Sequence, residues 1–407
     1  MPDIDPERLL GDLYKLRTFG AYKTGVHRPS LSAEDVAARQ WLVERMTEAG
    51  LEAQIDGIGN VFGRRPGAGR RILAGSHSES QNQAGWLDGA LGVVFALEAS
   101  RAIGNDSDGG VDVIAFFDEE GHFGSYLGSR SFIGEVSEAE LDKARDRTHG
   151  KSLRDALAEA GYAGRRRITI DRERYSGFFE AHIEQGGSLE AAGLKIGVVT
   201  AIVGLWDYRI KVTGEQNHAG TTTMKQRKDA GLTLVRLIAA IDRRFREIAG
   251  PASVWTCGRM EFEPGAPSII PGAARALFQF RDCDPEVLAR LELALRQRIA
   301  DANEAGPCTI AMDVIRQSAP AAMNEKFQRA IENAAALHAP NLAIRMPSGA
   351  GHDAQHLARI IPAAMMFVPS IGGISHHWSE NTSDQDIATG ARVFTEAIAG
   401  VLRGQNR

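Results

Sequence analysis

Apolar positions recur at helical spacing over residues 33–49 (AEDVAARQWLVERMTEA), and Gly50 closes the segment as a helix stop. The run RRILAGSH over 70–77 predicts a short buried strand, residues 88–103 a helix, and VDVIAFF over 111–117 another buried strand. Strands alternating with helices imply an α/β fold, a mostly parallel sheet with helices on both faces. From about residue 204 the pattern changes. It predicts a strand at 205–215, a long helix at 228–248, strands at 253–262 and 274–282, a helix at 285–303 and a strand at 308–315. The order β-α-β-β-α-β is that of a ferredoxin-like α+β unit. A helix at 325–338 then resumes the first pattern. The expected organisation is therefore one domain of residues 1–203 and 323–407, interrupted by a second of 204–322. A chain of 407 residues fits two domains, because single cores stop growing at roughly 250–300 residues.

Composition excludes several classes. Hydrophobic residues at 43% and charged residues at 24% are ordinary for a water-soluble domain, and a net charge of -5 gives no general reason to bind nucleic acid or an anionic membrane. The basic runs Arg64-Arg65, Arg70-Arg71 and Arg165-Arg166-Arg167 are short and read as solvated surface. The N-terminus is charged and amphipathic, unlike a signal peptide, and the most apolar stretch, 90–99, is too short to span a bilayer. Three cysteines without a CxxC pair indicate neither a disulfide framework nor a cysteine metal site. A cytoplasmic location is expected.

The candidate chemistry lies at strand ends. His77 ends one predicted strand, Asp88 opens the following helix, and Glu119 and Glu120 end the next strand. His182 lies in FFEAHIEQG, and His376 in GGISHHWSE after the strand AAMMFVPS. Crevices of open α/β sheets form at the carboxyl ends of strands. Five His and carboxylate side chains converging there suit two divalent metals with one shared ligand, for which Asp88 is the candidate. Singly, each has a bland reading: a structural histidine, a helix-capping aspartate, a solvated glutamate pair. Their joint occurrence favours the metal.

The segments GSHSESQNQAGWLDGALGVVFALEA, FFDEEGHFGS, EAHIEQGGSLEAAG, NHAGTTTM, MPSGAGHDAQ and VPSIGGISHHWSENT resemble, in order, the motifs of the amidase/hydantoinase/carbamoylase branch of the binuclear zinc-type exopeptidases. The branch includes N-carbamoyl-L-amino acid hydrolases, allantoate amidohydrolases and β-ureidopropionases. The resemblance implies a metal-dependent amidohydrolase with a small carboxylate-bearing substrate, and a lid domain at 204–322 that forms a homodimer. His77, Asp88 and His182 would hold one metal, and Glu120, His376 and the shared Asp88 the other. Zinc or manganese is implied, with cobalt and nickel as further candidates. Glu119 would carry the proton between water and the leaving nitrogen. His218 would reach the substrate carbonyl from the partner subunit, and Arg281 would clamp the carboxylate with its planar fork. Gln185 and the loop of Gly349, Ala350 and Gly351 match further substrate contacts.

Two positions depart from the family. Glu79 stands where an aspartate normally supports the first metal histidine, and Ser268 replaces an asparagine of a lid loop. Glu79 is expected to support His77 by a longer reach. His352-Asp353-Ala354-Gln355-His356 has the spacing of a helical zinc motif, but the family places it beside the substrate. The leading reading is hydrolysis of an N-carbamoyl amino acid. An N-acyl-amino-acid deacylase or dipeptidase-like hydrolase is the alternative, and a non-catalytic, ligand-binding paralogue a third.

Overall fold

The computed structural model describes residues 2–67, 69–104 and 109–404. Helix α1 (Pro6–Thr18) starts on Asp5 and α2 (Ala33–Glu48) on Ser32, whose side chains accept the N–H groups that a first turn leaves unpaired. Strands β1 (Glu52–Ile55), β2 (Val61–Arg64) and β3 (Arg71–His77), helix α3 (Ala90–Ile103), and strands β4 (Gly110–Phe116), β5 (Tyr175–Ile183) and β6 (Ile196–Ile202) follow. Then come β7 (Gly204–Thr213), α4 (Ala230–Ile248), β8 (Val254–Glu263), β9 (Ala273–Asp282), α5 (Pro285–Ala305) and β10 (Thr309–Gln317). The chain ends with α6 (Glu325–His338), β11 (Ala343–Ser348), β12 (Ala363–Val368) and α7 (Asp384–Arg403).

It packs as two compact units, Met1–Thr200 with Met323–Arg407, and Ala201–Ala322. In the first, the strand order is β6-β12-β5-β3-β4-β2-β1, with β11 also paired to β6. The centre is parallel (β12 on β5, β5 on β3, β3 on β4). The edges are antiparallel: β6 pairs with β12, β2 with β4 and β1 with β2. The mainly parallel α/β sheet inferred from the chain is present, and β1–β2 is a hairpin edge that the helix–strand alternation did not signal. Every residue of β3, β4 and β12 is buried, which explains their mostly apolar sequences. Because β3, β4, β5 and β12 run the same way, their carboxyl ends bring His77, the loop after Phe116, His182 and the loop after Val368 to one edge.

The second unit has the strand order β8-β9-β7-β10, all antiparallel, the interleaved order of a ferredoxin-like fold. Alternation along β7 buries Tyr208, Ile210 and Val212 against α4 and α5. Phe245 of α4 anchors this core, its ring meeting Trp255, Phe278 and Phe280 edge-on at 5.6, 5.7 and 5.5 Å between centroids. The cores of the two units are separate clusters of side chains. Phe245→Ala is therefore expected to destabilise the second unit by about 3–5 kcal/mol while leaving the unfolding of the first unchanged. Calorimetry checks this, and a loss below about 1 kcal/mol would contradict the packing described.

Candidate metal centre

The edge is built around a tight turn. Gly89 adopts φ 66°, and a Cβ placed there would lie 2.4 Å from the ring of His77, so only glycine permits the approach. Gly89, not Asp88, occupies the cap position of α3, and that helix makes no side-chain cap bond. The carboxylate of Asp88 is left free for other work. Buried Glu380 holds the turn from behind, its Oε1 accepting the N–H groups of Leu87 and Asp88 at 3.2 and 3.1 Å.

Among the described residues, two groups have the composition and spacing to hold a metal ion: His77, Asp88 and His182, and Asp88, Glu120 and His376. They share Asp88. Its Oδ1 lies 3.4 Å from His77 Nε2 and 3.0 Å from His182 Nε2, and its Oδ2 lies 3.3 Å from His376 Nε2. His376 Nε2 is also 3.7 Å from Glu120 Oε2. His77 Nδ1 pairs with the carbonyl of Glu79 at 3.2 Å and His182 Nδ1 with that of Ile183 at 2.9 Å, which turns both Nε2 atoms toward Asp88. His77 Nε2 is buried without a hydrogen-bond partner. A buried nitrogen facing a carboxylate and lacking a donor or acceptor of its own is what a cation would satisfy.

The electrostatics agree. Burial works against a charged His77, but Glu119, Asp88 and Glu79 together hold it well above the usual histidine range. A hydrogen bond to Asp88 raises His376 to about 9. Burial favours a neutral Asp88, yet His182, His376 and His77 hold it well below the usual carboxylate range. This concentrated negative field attracts cations.

Glu119 and Glu120 do not end a strand. β4 stops at Phe116, and Asp118 turns the chain with φ 57°. Strand alternation therefore does not separate the two glutamates; the turn does. Asp118 fixes that turn by accepting the N–H groups of His122, Phe123 and Gly124 at 2.7, 2.9 and 2.8 Å and the hydroxyl of Ser30 at 2.7 Å. Glu120 faces Asp88 and His376 and is held by Gln81, whose amide donates to its Oε2 at 2.6 Å. Glu119 Oε2 lies 3.7 Å from His77 Nε2.

Glu79 departs from the expectation. Its carboxylate stands 3.8 Å from His77 Nδ1, and its backbone carbonyl makes that contact instead. The carboxylate takes the guanidinium of Arg39 at 2.6 Å and the backbone N–H of Glu119 at 2.7 Å. Arg39 is fully buried, paired also to Asp35 at 2.9 Å. The extra methylene of a glutamate carries the charge past the histidine to this pair. Sequence reasoning missed Arg39, Asp35, Asp118, Gln81, Ser375 and Glu380. The signal available was an arginine and an aspartate four residues apart on the inward face of α2, where charges are normally excluded.

The remaining candidates fall as follows. Gln185 donates to Asp88 Oδ2 at 2.9 Å and to Ser375 Oγ at 3.2 Å, on the shared carboxylate itself. Gly351 backs onto the hydroxyl of Tyr126, where a Cβ would come within 2.0 Å, and Gly349 has open space beside it. His352 packs edge-on against His182, with ring centroids 4.6 Å apart. His218, Ser268 and Arg281 belong to the second unit. His218 pairs with Ile269 in a two-residue ladder, and the carbonyl of Ser268 accepts from Ala219 N at 3.0 Å. His218 Nδ1 accepts the N–H groups of Gly220 and Thr221 at 3.0 and 3.2 Å, which leaves Nε2 as the ring's donor. Arg281 is the penultimate residue of β9, with its Nε on Gln279 Oε1 at 2.8 Å.

Residues 75–400 match the model of Peptidase family M20/M25/M40. The allantoate amidohydrolase of Bacillus subtilis is 34% identical over 388 residues, 92% of each chain. The N-carbamoyl-L-amino acid amidohydrolase of Geobacillus stearothermophilus is 32% identical, covering 99% of this chain and 100% of its own. The crystal structure of an amidase of the hydantoinase/carbamoylase family from Burkholderia phymatum superposes with a TM-score of 0.92 at 46% identity, over 100% of both chains.

The geometry of Glu79 makes a sharp prediction. Glu79→Asp withdraws the carboxylate by one methylene, so it cannot hold both Arg39 and the Glu119 N–H. Turnover is expected to fall by about 10–100-fold with bound metal retained, read by kinetics and metal analysis on one preparation. Unchanged turnover with tighter metal binding would show that Glu79 serves only His77.

Proposed function

The chain belongs to peptidase family M20/M25/M40, and we propose that within it this enzyme hydrolyses the ureide C–N bond of an N-carbamoyl amino acid. It is a hydrolase of C–N bonds, and its family is metal-dependent. Relatives are named for allantoate, N-carbamoyl-L-amino acids and ureidoglycolate, the last from Oryza sativa. All three compounds join a ureido group to a carboxylate.

The observation that carries the reading is the carboxylate of Asp88, shared by two His-containing groups. In this proposal two divalent ions, zinc or manganese, are held by His77, Asp88 and His182 and by Asp88, Glu120 and His376. Such ions supply Lewis acidity, polarising a carbonyl and acidifying a water molecule. Glu119 takes the proton from the attacking water and returns it to the leaving nitrogen. Burial pushes its carboxyl well above the usual range, with Glu120, Asp353 and Asp88 adding to the effect and His77 opposing it. A carboxyl held above its usual range is suited to take up a proton and return it. The Nε2–H of His218, offered across a homodimer boundary, stabilises the oxyanion, and Arg281 pairs with the substrate carboxylate. Gln185, Ser268, Gly349 and Gly351 complete the substrate contacts.

Metal-loaded protein should be assayed against N-carbamoyl and N-acyl amino acids, with released ammonia and amine measured separately. N-carbamoyl substrates are expected to yield both products. Faster turnover of N-acyl compounds would favour the deacylase instead, and hydrolysis of neither would sink the proposal. Glu119→Gln is expected to keep its metal and fold while losing roughly 10²–10⁴-fold in turnover. If the metal is lost as well, the roles of Glu119 and Glu120 must be exchanged.

A further inference from the structure

The first unit holds a cavity at the other end of its sheet. Its volume is about 560 Å³, and its wall includes Arg64, Arg165, Arg166 and Arg174 together with Phe62 and Phe132. Residues from two basic runs a hundred residues apart, each of which reads as solvated surface in the sequence, thus face one space. Arg64 ends β2 and Arg174 precedes β5, at the amino end of the parallel strands. Along β5 the distance from Tyr175 to His182 is seven residues, or about 23 Å.

The cavity is built, not a chance fold of loops. The arginine-bearing segment is clamped to the β1–β2 hairpin: Gly57 N donates to the carbonyl of Arg166 and Ile168 N to Asp56 Oδ2, both at 3.1 Å. A Cβ on Gly57 would come within 2.2 Å of the Arg165 carbonyl, so the segment lies hard against the turn. Arg174 has only 9% of its side chain exposed and is fixed on Asp112 through Nε at 2.6 Å and Nη2 at 3.0 Å. Arg165 donates to the carbonyl of Ile55 at 3.2 Å. Arg64 and Arg166 are exposed, and among the described residues neither has an ion-pair partner. Asp171 is the one carboxylate in the wall, which rules out a cation site. Phe62 and Phe132 are almost fully buried, so each presents only the part of its ring that faces the cavity.

We propose that this cavity binds a small organic oxyanion, a phosphate or carboxylate joined to a flat apolar group. Arg64 and Arg166 grip the oxyanion in the forked geometry that guanidinium groups favour, and the aromatic wall covers the apolar part. The volume lies within the roughly 300–1,000 Å³ of small-molecule sites.

Isothermal titration of the metal-loaded protein with phenyl phosphate, benzoate and inorganic phosphate tests the site. One organic anion is expected to bind with one equivalent per chain, at least tenfold tighter than inorganic phosphate, and the tighter of the two identifies the oxyanion. The double variant Arg64→Glu/Arg166→Glu should weaken that binding tenfold or more, with hydrolytic kcat/KM within twofold of the parent and an unchanged melting temperature. No binding of either organic anion at millimolar concentration would overturn the proposal. So would affinity unaffected by the double variant, which places the anion on the metal ions, or inorganic phosphate binding as tightly as the organic probes.

Discussion

Asp88 must present one carboxylate oxygen to two histidines and the other to a third, and much of the first unit follows from keeping it there. The glycine at 89 lets the turn close under the ring of His77. Glu380 grips the backbone on the near side, and Gln185 and Ser375 touch the carboxylate from the other. The start of α3 lies two residues on, so its unpaired N–H groups favour negative charge at this point. A buried aspartate among other carboxylates would ordinarily take up a proton. Three imidazoles keep this one ionised, which leaves its oxygens as anionic acceptors suited to a cation.

The same logic explains why a second set of buried charges sits one layer deeper. Glu79 joins the strand end carrying His77 to the turn carrying Glu119, and it does so as an anion. Burial pushes its carboxyl up, but Arg39 first and then His77 pull it below the usual range. Arg39, steadied by Asp35 on its own helix, in turn ties α2 to the site through Glu79 and through the carbonyl of Gly59. Removing one partner of such a buried pair costs about 3–5 kcal/mol because the other charge is left uncompensated. The positions of His77 and Glu119 are thereby coupled to the docking of a helix that contributes no residue to the metal groups.

Much of this was legible in the chain because the relevant signals are local. Buried parallel strands read as mostly apolar runs; His77, Glu120 and His182 lie at or just past the end of such a run, and Asp88 and His376 lie in the loops that follow. The hairpin β1–β2 escaped notice since its four-residue strands carry no clear period. The turn at Asp118 escaped because a left-handed aspartate looks like any other in sequence. Whether Glu79 serves His77 or Glu119 depends on a side chain from α2, forty residues away. Nothing in the spacing of charged residues states which distant partners they will meet.

Net charge says little about local binding for a related reason. A value of -5 describes the whole chain, whereas a ligand responds to charges within about 8 Å, the screening length at physiological salt. The His and carboxylate groups of the candidate metal centre lie at the carboxyl ends of the strands, beside the start of α3, and the arginines of the cavity lie at the amino ends around β2 and β5, where Asp112 holds Arg174. The two sets stand about 23 Å apart along β5. One strand thus spans from a histidine- and carboxylate-bearing edge to an arginine-lined cavity within a single unit. A sequence average near neutrality is then compatible with strong local fields of both signs, and short basic runs acquire meaning only when the fold shows which of them share a wall.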